Sequence, residues 1–186
     1  TVISSNILGE IYEVFISETL IVKNNEVILQ PKKENLNRAI VTTPYDVVKF
    51  MVSKSLENFT DKKSPDEIKN LRIADIACGS GIFLTEVLDY LINYCQDWYE
   101  RNKKYDHLEE SYTNTYKLTY KEKKEILTSC LYGVDIDYQA VEVAKFSLLL
   151  KVLENETEET VTNEKPVLPS LDNNIINGNS LIDLEM

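Results

Sequence analysis

The sequence predicts an α/β domain built on a doubly wound, mostly parallel sheet, and three stretches predict it. Leu71–Asp75, Leu131–Ile136 and Asn174–Ile182 are short apolar runs that each deliver a polar side chain at or near their carboxyl end. The first two lead into long amphipathic segments, the alternation expected of strands joined by helices. Leu71–Asp75, with its β-branched isoleucine, suits a strand buried on both faces rather than a half-exposed one. In open sheets of this kind ligands lie in the crevice beyond the carboxyl ends of the strands, which singles out Asp75, Asp135, Asn179 and Ser180.

Taken in order, residues 6–20 place Leu8, Ile11, Tyr12 and Phe15 at helical spacing, predicting an amphipathic helix. Leu20–Val22 and Val27–Leu29 flank Asn24-Asn25 and predict a hairpin. Thr43 is the expected cap of a helix beginning at Pro44, with the acid Asp46 in its first turn and Val47, Val48, Met51 and Val52 on one face. Residues 58–70 are polar, contain Pro65 and read as a loop with one helical turn. The first strand then ends at Asp75, and Gly79-Ser80-Gly81 turns into a helix on which Phe83, Val87, Leu91, Cys95 and Trp98 recur every three or four residues. A side chain added at Gly81 is expected to fill ligand space rather than core, leaving the domain folded.

Residues 103–117 have no clean period and read as a surface insertion. Thr119 with Glu122 is a capping-box pair opening the next helix. The second strand ends in Asp135, and Asp137 caps a helix carrying Val141, Ala144, Leu148 and Val152. An acid at the end of the second strand of a nucleotide-binding sheet can accept both hydroxyls of a ribose. Residues 154–164, acidic and rich in threonine, read as a solvated loop, and Asn174–Ile182 reads as a third strand.

Composition narrows the class. The 186 residues carry a net charge of −11, 43% apolar and 27% charged residues, so one ordinary globular domain is expected, without a whole-chain basic footprint for nucleic acid. No apolar run approaches membrane-spanning length and no signal peptide opens the chain, so a cytoplasmic location without membrane contact is expected. Cys78, Cys95 and Cys130 lack metal-ligand or disulfide spacing, the one histidine lies in a charged stretch, and no metal is expected. Cys78 sits in the glycine turn, where its small size matters more than its sulfur.

The pocket-forming stretch discriminates between ligands. A dinucleotide fingerprint requires a third glycine where this chain has Leu84, which weakens a nicotinamide reading. Asp-Ile-Ala-Cys-Gly-Ser-Gly, Asp75 to Gly81, instead resembles motif I of the adenine-specific DNA methyltransferases of restriction-modification systems. Thr-Pro-Tyr-Asp-Val-Val-Lys-Phe-Met-Val, from Thr43, resembles their motif X. Gly-Val-Asp-Ile-Asp, from Gly133, resembles motif II, and Asn-Gly-Asn-Ser-Leu, from Asn177, resembles motif III with Asn179 in place of the usual acid. Leu8 to Glu13 resembles the lead-in of larger restriction-modification members.

The resemblance implies the Rossmann-like sheet of S-adenosyl-L-methionine-dependent methyltransferases, here incomplete. Residues 1–40 would form an amino-terminal helical and hairpin extension, and residues 41–186 the cofactor-binding part. Asp75, Ala77 and Cys78 would contact the methionine end of the cofactor, Gly79 and Gly81 would admit it, and Asp135 would hold its ribose. Ile136 and Ser180 would flank the adenine, while Thr43 would close the pocket. Asn179 would offer its amide oxygen to the adenine amino group. In this family an Asn-Pro-Pro-Tyr-type motif stacks and holds the flipped target base; no Pro-Pro pair occurs among the 186 residues, and no catalytic residue is assigned. The chain is expected to be a cofactor-binding fragment, inactive by itself, from a protein that meets double-stranded DNA through other parts and works with restriction or specificity subunits or a fused endonuclease. A methyltransferase of the same architecture acting on RNA or protein, and a noncatalytic binding module, remain open on the sequence.

Overall fold

The computed structural model describes residues 11, 18–23, 26–31, 43–110 and 115–182. Strands β1 (Glu18–Lys23) and β2 (Glu26–Pro31) pair antiparallel with Val22 opposite Val27, the hairpin expected around Asn24-Asn25. The pairing reaches back to Glu18, so residues 18–20 are strand and not the end of the predicted helix. The rest of that helix, apart from Ile11, lies outside the described residues, as do the lead-in residues 8–10, 12 and 13.

Helix α1 (Tyr45–Thr60) begins one residue later than its capping signal suggests. Pro44 takes the N-cap position, its carbonyl accepting from the N–H groups of Val47 and Val48 at 2.9 and 3.1 Å, and no side chain caps the helix. Thr43 is therefore not the cap: the extended backbone of Pro44, with ψ 137°, postpones the helix past it. The buried stripe is Val48, Val52, Leu56 and Thr60, while Val47 and Met51 are exposed, so it is narrower than the predicted face. One further turn, α2 (Pro65–Ile68), is held by a reciprocal capping box between Ser64 and Glu67.

Strand β3 (Ile73–Asp75) leads through the glycine turn into α3 (Ile82–Arg101), which packs against α1 and the later helices. Leu84, Leu88, Leu91 and Cys95 on α3 are almost wholly buried. Each leucine contributes about 1.5–3 kcal/mol over an exposed position, which makes α3 the spine of the core. The insertion that follows is structured: a 3-10 turn at Tyr105–His107 precedes β4 (Leu108–Glu110), which pairs antiparallel with β5 (Tyr116–Leu118). Leu108 and Leu118 face each other in register and both are buried, anchoring this hairpin to the core.

Helix α4 (Tyr120–Cys130) runs directly into β6 (Leu131–Asp135), and α5 (Tyr138–Leu153) returns from it. Val141, Ala144, Leu148 and Val152 are all buried on α5, as their spacing predicts. A short helix, α6 (Glu158–Thr162), and a loop then reach β7 (Ile175–Asn177). The three strands form a parallel sheet in the order β3-β6-β7, with Asp75 level with Gly133 and Asp135 level with Asn177. This is an α/β architecture with a parallel sheet. Strand β6 is its centre, whereas β3 has no neighbour on its outer side among the described residues, and Ala74 is exposed there. The burial on both faces expected of β3 is accordingly not reached.

Two ionic networks fasten the insertion hairpin. The Glu156 side chain is 1% exposed and meets Lys123 at 2.6 Å and Lys117 at 2.7 Å, so the acidic 154–164 stretch is not simply a solvated loop. Thr119 caps α4, accepting from the Glu122 N–H, but the Glu122 carboxylate does not turn back to complete the box. It takes Lys69 at 2.8 Å and His107 at 2.8 Å, and accepts from the Tyr99 hydroxyl at 3.2 Å. Desolvation alone would raise both carboxyls, yet hydrogen bonds from Lys69 to Glu122, and from Lys117 and Lys123 to Glu156, hold both below the ordinary glutamate value. A depressed carboxyl contributes stability that is complete above its unfolded pKa, near 4.5, and is lost as pH falls through its folded value. The melting temperature is therefore expected to hold down to about pH 5 and then fall, with Glu156→Gln flattening that acid limb. An acid limb identical in the variant and the parent would remove Glu156 from this role.

Candidate functional site

The polar ends of the strands meet around one turn. At the end of β3 the Asp75 carboxylate accepts from the Ala77 N–H at 3.1 Å, which folds the chain back over the sheet. The Cys78 N–H then donates to the Val134 carbonyl at 3.0 Å, so the turn lies across the end of β6. One residue on, the Gly79 N–H donates to Asp135 Oδ2 at 2.8 Å, and Asp135 Oδ1 accepts from the Asp137 N–H at 2.9 Å. The second-strand acid thus ties the glycine turn to β6. Asp137, as expected, is the cap of α5, accepting from Gln139 and Ala140.

The two glycines of the turn differ. Gly79 has φ +52°, and a Cβ built on it would meet nothing within 4 Å, so its backbone is open to a ligand. Gly81 has φ +85°, and a Cβ there would come within 2.9 Å of the Ala144 Cβ on α5. The space beside Gly81 is core. This corrects the expectation that a side chain at Gly81 would fill ligand space: its hydrogen allows α3 and α5 to approach closely. Burial, followed by the charges of Asp75 and Asp135, pushes the Cys78 thiol up to about 12, so it is a neutral space-filler. Its sulfur would lie 3.1 Å from a Cβ on Gly133, which shows how tightly β6 fits under the turn.

Around the turn, apolar side chains stand in solvent at the same sheet edge. Ile76 follows Asp75 and is 60% exposed; Ile136 follows Asp135 and is 74% exposed. Asn179 and Ser180 come just after β7 rather than on it, both exposed, and Asn179 Oδ1 accepts from the Leu181 N–H at 3.0 Å. Thr43 precedes α1, whose first turn is tied to α3 by the Tyr45 hydroxyl donating to Glu86 Oε2 at 2.8 Å. Sequence reasoning overlooked Glu86 and gave the side chains of Asn174 and Asn177, though inside the third stretch, no role. The Asn174 amide donates to the carbonyls of Thr128 and Leu131, and that of Asn177 to those of Asp135 and Ile136. The abundance of asparagine near residue 174 was the available signal.

A groove of about 450 Å³ lies on the other side of β3, along its outer edge, lined by Met51, Ile73, Ala74, Asp75, Phe83 and Val87 among others. It takes in Asp75, Ile76 and Ala77 but not Gly79, Asp135, Ile136 or Asn179, so it adjoins the crevice at the strand ends only on the β3 side. No group of His, Cys, Asp and Glu residues arranged to hold a metal occurs among the described residues, and no described helix is long and apolar enough to cross a membrane.

Comparison with known proteins places the chain in a family. The family model described as MmeI, DNA-methyltransferase domain, matches residues 51–184. The chain is 45% identical over 184 residues to the type II restriction enzyme and methyltransferase RM.Eco57I of Escherichia coli, a match covering 98% of this chain and 18% of that protein. It is 38% identical over 117 residues to the putative type II restriction enzyme and methyltransferase RM.MjaORFECS2P of Methanocaldococcus jannaschii, covering 63% of this chain and 9% of that one.

Proposed function

Because the chain belongs to the MmeI DNA-methyltransferase-domain family, we propose that it forms the S-adenosyl-L-methionine-binding part of an adenine-specific DNA methyltransferase in a restriction-modification system. The observation that carries this reading is the turn Ala77–Gly81 laid over the ends of β3 and β6, with its Gly79 backbone open and tied to Asp135. The site residues fit the cofactor's chemistry. Each Asp135 oxygen accepts one backbone N–H and keeps a further lone pair for a ribose hydroxyl. Ile136, left 74% exposed beside that acid, offers an apolar surface to the adenine ring. Asp75, Ala77 and Cys78 would line the methionine end, with Thr43 closing over it, and Asn179 and Ser180 on the far side of the ring. The chemistry supplied by the bound cofactor is an activated methyl group on a sulfonium. This chain's residues bind and orient it, and the fold reading that goes with this role is the Rossmann-like, doubly wound sheet of such methyltransferases.

The wider assignments follow from the same reading. The substrate is double-stranded DNA, met through parts of a longer protein, for the two relatives are named as restriction enzyme and methyltransferase together and the chain spans only a small share of each. Restriction activity in the same polypeptide or in an associated subunit is the corresponding partner, and the cytoplasm the corresponding location. Residues 1–40 act as an extension to the cofactor-binding part at 41–186.

Calorimetry with S-adenosyl-L-methionine, or with its demethylated product, is expected to give one-to-one binding. Asp135→Ala should weaken it, at roughly 1.5–3 kcal/mol for each hydrogen bond to a charged acceptor. Tight binding of NAD with no response to S-adenosyl-L-methionine would overturn the reading.

A further inference from the structure

Asn177 is the last residue of β7, and its side chain does what the strand can no longer do. The regular ladder ends with the Gly178 N–H donating to the Asp135 carbonyl at 2.9 Å. The Asn177 Nδ2 then donates to that carbonyl and to the Ile136 carbonyl, both at 3.0 Å, adding one rung beyond the strand. The backbone of Asp135 and Ile136 is thereby held from β7, on the side opposite the glycine turn. From the Asp135 backbone the carboxylate reaches the Gly79 N–H at 2.8 Å. A continuous relay thus runs from Asn177 through Asp135 to Gly79, crossing from the third strand to the turn over the first.

We propose that Asn177 is a positioning residue of the cofactor site, which fixes where the Asp135 carboxylate and the Ile136 side chain stand and through them holds the Gly79 N–H in the turn. The proposal rests on the cofactor reading above for its function, though its geometry does not. Asn177 is itself exposed, on a strand that has no outer neighbour among the described residues, so its side chain contributes little core packing. An amide suits the position because both facing groups are carbonyls: two N–H donors can satisfy both at once, whereas a carboxylate would repel both.

Two variants of the chain test this, with two readouts. In Asn177→Ala the rung is lost; in Asn177→Asp it is replaced by repulsion, so the second variant should be the more affected. Amide hydrogen exchange followed by NMR is expected to show the Gly79 N–H exchanging about tenfold faster in Asn177→Ala, relative to core amides on α3, and faster still in Asn177→Asp. The dissociation constant for S-adenosyl-L-homocysteine should rise by about the same factor. An unchanged ratio of Gly79 to core exchange in both variants would overturn the proposal, as would uniform acceleration of all amides, which marks plain destabilisation. Faster Gly79 exchange in a chain whose parent binds no cofactor would keep the relay and sink the cofactor reading, so the two failures separate.

Discussion

Gly81→Val is expected to destabilise the domain severely, with a large drop in the urea midpoint. Two costs add at this position. A side chain must adopt φ +85°, for which the left-handed region costs about 1–2 kcal/mol in an ordinary residue. The new Cβ would also start 2.9 Å from the Ala144 Cβ and 3.2 Å from its Cα, and a backbone atom cannot swing aside as a side-chain tip can. Overpacking of this kind costs about 1–3 kcal/mol. Together about 2–5 kcal/mol stands against a whole stability of about 5–15 kcal/mol for a domain. Gly79→Ala is the matched control: it carries the positive φ without the clash, so it should lose only about 1–2 kcal/mol. Equal midpoints for the two variants would show that α3 and α5 can separate at no cost, contrary to the packing described.

That comparison also marks what was legible in the sequence. Strand, acid, glycine turn and helix could be placed from residue types because each is a local signal: β-branched runs, paired glycines, Asp137 as a cap, and apolar residues recurring every three or four positions on α3 and α5, although on α3 the wholly buried stripe is Leu84, Leu88, Leu91 and Cys95 while Phe83 and Trp98 are only half-buried. The division of labour between Gly79 and Gly81 could not, because it depends on Ala144, more than sixty residues away, coming up against one and not the other. The same holds for the charged insertion. Residues 103–117 and 154–164 look like solvent-facing loops by composition, and only the fold brings Glu156 between Lys117 and Lys123, or Glu122 between Lys69 and His107. Pairing of this range leaves no periodic trace. Asp135 shows a third case: the sequence marked it as a ligand group, while the structure adds a tie to Gly79 that makes the same carboxylate part of the scaffold.

The outer edge of β3 bears on the last expectation, that the chain alone transfers no methyl group to DNA. Methylating an adenine amino group requires the base to be flipped from the duplex, stacked and hydrogen-bonded at its amine. The Asn-Pro-Pro-Tyr-type groups implied for that task are absent from the 186 residues, and the groove beside Asp75 is lined by Met51, Ile73, Ala74, Phe83 and Val87, with few polar groups to hold an amine. Loss of each preorganised partner of a developing charge costs about a hundred- to a thousandfold in rate. A net charge of −11 also gives the chain poor electrostatic footing on a phosphate backbone, so encounter with DNA should be weak even at low salt. A tritiated-methyl assay on unmethylated duplex should therefore register nothing with the chain alone, and transfer to adenine when the chain is part of a protein as long as its relatives. Transfer by the chain alone would place the catalytic groups among these residues, and transfer by the longer protein to RNA or to protein would replace the DNA substrate while leaving the cofactor site where it is.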